Sequence, residues 1–115
     1  MQYMLMIYSD EAAEATMTEA DNQALMAAYG AYAGAMAQAG VMVGGERLRP
    51  TSDATSVRIR AGKTELLNGP YADTRERLGG YFLIDVPDLD AALHWAARCP
   101  TAPHGTIEVR PIWPM

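Results

Sequence analysis

Many of the usual signposts of chemistry are missing from this chain. It has a single cysteine, Cys99, so no internal disulfide can form and a reducing compartment fits. Its two histidines, His94 and His104, lie ten residues apart with no paired ligand spacing. A metal site is therefore not expected, because metal binding needs several His, Cys or carboxylate groups converging. Nine Lys and Arg are scattered against fourteen Asp and Glu, for a net charge of -5. Nucleic-acid binding rests on neutralising phosphates, so no nucleic-acid partner is expected, and anionic membranes are disfavoured on the same ground. No apolar run approaches the ~20 residues of a membrane span. The opening MQYMLMIYSD lacks the basic flank and the length of a signal peptide, and a cytoplasmic location is expected. Gly44-Gly45 and Gly79-Gly80 lack the spacing of a phosphate-cradling loop.

What is present is a chain of 115 residues, half of them hydrophobic. That is enough for one domain, spanning 1–115, with its own core. Residues 2–8 read as a buried strand, apolar on both faces. Ser9 to Thr16 form a polar connector. Thr18-x-x-Asp21 resembles a capping box that opens a helix running to about Gln38, with Leu25, Ala28, Tyr29, Tyr32 and Met36 as its buried stripe. Gly30 and Gly34 inside that helix cost about 1 kcal/mol each against Ala, and their spacing suggests a close backbone approach. Val41 to Leu48 is a second strand and Pro50 to Ala54 a turn-rich break. Ser56 to Arg60 and Thr64 to Leu67 form a hairpin, its first strand half-buried by alternation. Tyr81 to Val86 is a strong strand. Asp88 caps a helix from Leu89 to Arg98 whose stripe is Leu89, Ala92, Leu93, Ala96 and Cys99. Thr106 to Ile112 is the last strand.

With the hairpin set aside, the order is βαββαβ. The fold class is α+β, a ferredoxin-like split βαβ with an inserted hairpin and an antiparallel sheet carrying both helices on one face. The other face is then free for a partner or ligand. Alternation sends Ile107 and Val109 towards the helices and Thr106, Glu108 and Arg110 away from them. It likewise sends Tyr81, Leu83 and Asp85 away, with either Glu46 or Arg47. Two such faces packed together would give a homodimer enclosing a cavity with apolar walls and a few polar groups, suited to a small-molecule ligand.

The stretch NGPYADTRERLGGYFLIDVPDLDAALHWAARCP, with GTIEVRPIW after it, resembles the YCII-related family in the branch named for its Asp-Gly-Pro-Phe motif. MQYMLMIYSDEAA and AAYGAYAGAMAQAGVMVGGERLRP are similar to the same branch, so the resemblance covers essentially the whole chain. It implies a ferredoxin-like fold paired into a dimeric α/β barrel, and a cleft proposed as an active site, without a settled reaction or a cofactor. It also implies association with an extracytoplasmic-function sigma factor, and kinship with small oxygenases, isomerases and lyases. Asn68 and Tyr71 stand where the motif has Asp and Phe. An amide cannot serve as a general base, and the His-Asp pair proposed for the founding branch has no match here.

For acid–base chemistry the candidates are Glu46 and Glu108 as carboxylates, Tyr81 as a phenol and Arg110 as an anion anchor. Asn68, Gly69, Pro70, Tyr71 and Arg75 are expected to rim a ligand site. Asp73 is expected to cap a short turn over Thr74 to Leu78. Cys99, at a helix C-terminus where the dipole disfavours a thiolate, reads as a packing residue. The functional expectation is a small cofactor-free enzyme of lyase, isomerase or oxygenase type. The alternative is a non-catalytic ligand-binding or regulatory module.

Overall fold

Tyr3, Leu5 and Ile7 are buried in the first strand while Gln2, Met4 and Met6 between them are only half-covered. That alternation fixes which face of the sheet receives the helices. The computed structural model describes all residues 1–115. In chain order the elements are β1 (Gln2–Ser9), α1 (Glu11–Glu14), α2 (Glu19–Gln38), β2 (Met42–Arg47), a 3-10 turn (Thr51–Asp53), β3 (Thr55–Arg60), β4 (Lys63–Asn68), β5 (Arg77–Asp85), α3 (Leu89–Ala97) and β6 (Thr106–Pro111). The main sheet has the order β2-β5-β1-β6, and every pairing in it is antiparallel. Without the β3–β4 pair this is the ferredoxin-like βαββαβ arrangement.

The helices begin where side chains satisfy their free N–H groups. Thr18 Oγ1 accepts from the Asp21 N–H at 3.1 Å, and the Asp21 carboxylate accepts from the Thr18 N–H at 3.3 Å, a complete capping box. Asp88 accepts from the Ala91 N–H at 2.9 Å to open α3. The core between sheet and helices contains Leu5, Met36, Ile84 and Cys99, all fully buried. The Tyr32 hydroxyl crosses it to donate to the Trp95 carbonyl at 2.7 Å. The Phe82 ring meets Tyr32 edge-on at 5.5 Å and stacks with Tyr29 at 6.4 Å.

Several elements depart from expectation. A short helix, α1, occupies part of the expected connector, opened by the Asp10 side chain accepting from Ala12 N–H and Ala13 N–H. In α3 the buried residues are Ala92, Trp95 and Ala96, with Cys99 just beyond, while Leu89 and Leu93 are exposed. Trp95 takes the inward position and the two alanines let the helix come close, so the stripe is rotated from the leucine side. β5 begins at Arg77, four residues earlier than Tyr81, and no helical turn forms over Thr74 to Leu78. Asp73 instead pairs with Arg77 at 3.1 Å. Gly30 and Gly34 face open space rather than another backbone.

The hairpin departs most. β3 and β4 form a separate two-stranded sheet. Val57, Ile59 and Leu66, on one of its faces by register, are 66%, 65% and 71% exposed, so its first strand is not half-buried. This arm accounts for a radius of gyration of 16.0 Å, against about 13 Å for a compact domain of this length. Its two-residue turn places both Ala61 (φ 52°) and Gly62 (φ 74°) in the left-handed region. Gly adopts that region freely, whereas Ala pays a steric cost of about 1–2 kcal/mol there. Ala61→Asn restores the Asn-Gly pair that such turns prefer. It is expected to stabilise the arm by about 1 kcal/mol. Because the arm can open without the core, the gain will be read as roughly fivefold slower hydrogen exchange at β3 and β4 amides, with little change at β1.

Candidate functional site

Cross-strand pairing resolves the uncovered face of the sheet. Glu46 lies opposite Tyr81, Tyr81 opposite Met6, and Met6 opposite Glu108. The four form one row running from edge to edge, and Met4 and Leu83 pair in the next row, with Arg110 opposite Met4. Glu46, rather than Arg47, therefore shares the open face with Tyr81. The row brings Tyr81 beside Glu46 but keeps Glu46 and Glu108 three interstrand spacings apart, about 14 Å. That exceeds the reach of two carboxylates acting on one bond, about 5–9.5 Å. Glu108 accepts from Arg110 at 3.0 Å in an exposed pair.

The helix side of the same sheet holds a cavity of about 390 Å3 between α2 and strands β1, β2 and β5. It exists because side chains are missing. Gly45 and Gly80 form part of the sheet wall, and α2 presents Gly30 and Ala33. A Cβ on Gly45 would lie 2.8 Å from the Tyr81 carbonyl oxygen, and one on Gly80 2.9 Å from that of Glu46, so both positions hold glycine for strand packing as well. The apolar walls are Ile7, Leu25, Met26 and Phe82. The polar groups converge from three elements: Ser9 from β1, Glu14 from α1, and Tyr29 from α2, with Thr101 following α3. Arg47 stands at the β2 edge. This mixture of apolar wall and few polar groups, at the lower end of the ~300–1,000 Å3 range, describes a small-molecule site.

Two hydrogen bonds order the cavity's polar groups. The Ser9 hydroxyl donates to a Glu14 carboxylate oxygen. Tyr29 Oη and Thr101 Oγ1 are hydrogen-bonded at 2.5 Å, with Cys99 Sγ 3.4 Å from the same phenol. Burial, reinforced by the neighbouring Cys99, pushes the Tyr29 hydroxyl well above the ordinary tyrosine value of 10.0. Burial does the same to Tyr32. Tyr29 therefore stays a neutral hydroxyl at physiological pH, able to orient a ligand but not to act as an anionic base. A larger hollow of about 720 Å3 lies outside α2, walled by Ala24, Ala28, Ala31 and Pro100. Its polar groups are already engaged: the Tyr32 hydroxyl with the Trp95 carbonyl, the Asp21 carboxylate in the α2 capping box, and the Arg98 guanidinium over the Trp95 ring.

The YCII-related domain matches residues 1–115 of this sequence. The chain belongs to the YCII-related family. An uncharacterised protein of Rhizobium meliloti (strain 1021) is 34% identical over 114 residues, covering 97% of this chain and 92% of that protein.

In this YCII-related domain the stretch from Asn68 to Arg77 contributes no residue to the lining of the α2 cavity. Asn68 ends β4 and is exposed. Gly69 (φ 136°) turns the chain, its N–H donating to the Ala54 carbonyl at 2.8 Å while its own carbonyl accepts from Ser56 Oγ. Pro70 lines a cleft of about 520 Å3 with Tyr8, Leu48, Arg77 and Leu78. Tyr71 is 79% exposed and lines none of these hollows. Arg75 reaches back to Asp10, Nε to Oδ2 at 3.1 Å. Of the residues expected at a site, Glu46 and Tyr81 lie on the strands that wall the α2 cavity but belong by register to the sheet's uncovered face, and Pro70 borders the cleft; Glu108 and Arg110 border neither. Ser9, Glu14, Tyr29, Arg47 and Thr101 were not anticipated. The signal for the cavity was Gly30, a costly residue in a helix with no backbone close to it.

Asp10 joins two parts of this site. Its carboxylate caps α1 and accepts from Arg75, and Glu14 of α1 sits in the cavity. The bond from Arg75, with those from the Ala13 and Ala12 N–H groups, holds the Asp10 carboxyl below its ordinary 3.8. A carboxylate lowered in the folded state contributes stability above its unfolded value and loses it as pH falls through the folded value. Arg75→Ala is expected to bring the Asp10 carboxyl back towards 3.8, followed by carboxylate NMR titration. The α1 amides should also exchange faster, and high salt should mimic part of the effect.

Proposed function

We propose that this YCII-related domain binds a small organic molecule in the cavity between α2 and the sheet, as a ligand-binding module. One observation carries the reading: polar groups from β1, α1, α2 and the segment after α3 converge on a hollow whose sheet and helix walls are largely apolar or glycine, with Arg47 and Glu46 at its β2 edge. Gly30 stands exposed at the mouth of this hollow, where an Ala would gain about 1 kcal/mol of helix propensity. The test is a plug. Gly30→Leu builds a side chain into open space, so the fold should be retained. A fragment screen followed by NMR shifts should report ligands on Tyr29, Phe82 and Thr101 in the wild-type chain and none in Gly30→Leu. Ligands that shift the plugged variant equally, or that map elsewhere, would count against this site.

A second reading is favoured by the Ser9–Glu14 hydrogen bond, which places a carboxylate where it can take a proton. On that reading the domain is a small cofactor-free enzyme of isomerase, lyase or oxygenase type. Glu14, rather than the Glu46 and Glu108 row, would then be its base.

We also infer that two chains pair through the uncovered sheet face. Support comes from Met4, Met6, Tyr81 and Leu83, which no helix covers, and from the exposed apolar side of the arm. Sedimentation at micromolar concentration should give twice the mass of one chain, and Leu83→Asp should give a folded monomer. A monomeric wild-type chain would remove this reading and leave the cavity untouched.

A further inference from the structure

Arg47 is the one arginine of the chain without a polar or aromatic partner. Arg49, Arg58, Arg75, Arg77 and Arg110 each pair with a carboxylate. Arg98 lies over the Trp95 ring at 4.4 Å, and Arg60 donates to a backbone carbonyl. Arg47 has only a weak acceptor, the Met26 sulfur at 3.6 Å from Nη1. It stands on the cavity's β2 edge, opposite Gly80, which is itself opposite Ile7 of β1. The Ser9–Glu14 pair lies along β1, two strands away, which is about 10 Å across the sheet. Between them stand Gly80 and Phe82 on the sheet and Met26 and Tyr29 on α2, the Tyr29 hydroxyl being engaged by Thr101.

A guanidinium with unused donors at the rim of an apolar hollow is suited to bidentate recognition of a carboxylate. A phosphate or a nucleotide fits less well. It carries more charge than one arginine answers, in a chain of net charge -5 with the Glu14 carboxylate in the same cavity. We propose that the ligand of the α2–sheet cavity is a small organic monocarboxylate. Arg47 holds its carboxylate, its apolar or aromatic body lies between Phe82 and Met26, and a hydroxyl or ammonium donor at its far end meets Ser9 and Glu14. This rests on the α2–sheet cavity being the binding site.

The experiment uses 3-(4-hydroxyphenyl)propanoate, its amide, and 3-phenylpropanoate, titrated by NMR or calorimetry into the full chain and into Arg47→Met, Arg47→Lys and Gly30→Leu. The hydroxyphenyl acid is expected to bind roughly 10–100-fold more tightly than its amide, the range of a charge-assisted pair. Arg47→Met should abolish that preference, Arg47→Lys should restore part of it, and added salt should narrow it. The acid lacking the hydroxyl should bind more weakly than its parent in all variants with an open cavity. Equal binding of acid and amide to the wild type, lost in Gly30→Leu, would overturn the carboxylate assignment while leaving the cavity as the site. Failure of all three probes to bind the wild type, or binding unaffected by Gly30→Leu, would overturn both.

Discussion

Three aromatic rings set the spacing on which the rest of this molecule depends. Tyr29 and Tyr32 of α2 and Phe82 of β5 pack with centroids 5.5–6.5 Å apart. The bond from the Tyr32 hydroxyl to Trp95 then ties α2 to α3. Towards the C-terminal end of α2, Met36 fills the space between helix and sheet and is fully buried. One to two turns earlier in α2, Gly30 and Ala33 line a hollow together with Gly45 and Gly80 of the sheet, where no large side chain fills the gap. The cavity is thus a consequence of a rigid wedge beside small residues. Its walls are pre-formed, which lowers the ordering cost that a ligand must overcome.

Much of this architecture was legible in the sequence, and the illegible parts share a physical cause. The capping signals Thr18-x-x-Asp21 and Asp88, and the alternation in β6, depend on neighbours a few residues away, and the structure has them as read, whereas β1, read as buried on both faces, buries only Tyr3, Leu5 and Ile7. The α3 stripe was misplaced because Ala92 and Ala96 fit several rotations of the helix, and only the position of Trp95 decides among them. The start of β5 was hidden because Arg77, Leu78 and two glycines carry no strand alternation, and the register slips between Ile7 and Tyr8 where Gly79 is extra. In β3, Val57 and Ile59 alternate with arginines. That pattern looks the same whether the apolar side meets a core or water.

The site was less legible than the fold, for a related reason. The open-face row of Glu46, Tyr81 and Glu108 follows from strand alternation, so its residues could be named in advance. The α2 cavity is defined by absent side chains on segments distant in sequence, and by a phenol whose partners, Cys99 and Thr101, are some 70 residues away. Cys99 was expected to pack rather than react. Its burial and its contact with the Tyr29 hydroxyl are those of a group held within the core.

The stretch from Asn68 to Arg77 links the β3–β4 arm to β5. Gly69 fixes the exit from the arm, Pro70 lines the cleft beside Tyr8, and Arg75 bonds the aspartate that caps α1. α1 is held from a second direction, because Glu11 accepts from both the N–H and the hydroxyl of Thr51. A helix of one turn has little stability of its own, so these two clamps decide where Glu14 stands in the cavity. The charged residues of the stretch therefore bear on the α2 cavity without entering it. Arg75 positions α1, α1 positions Glu14, and a change in the loop's own surroundings would reach the ligand through the Asp10 carboxylate.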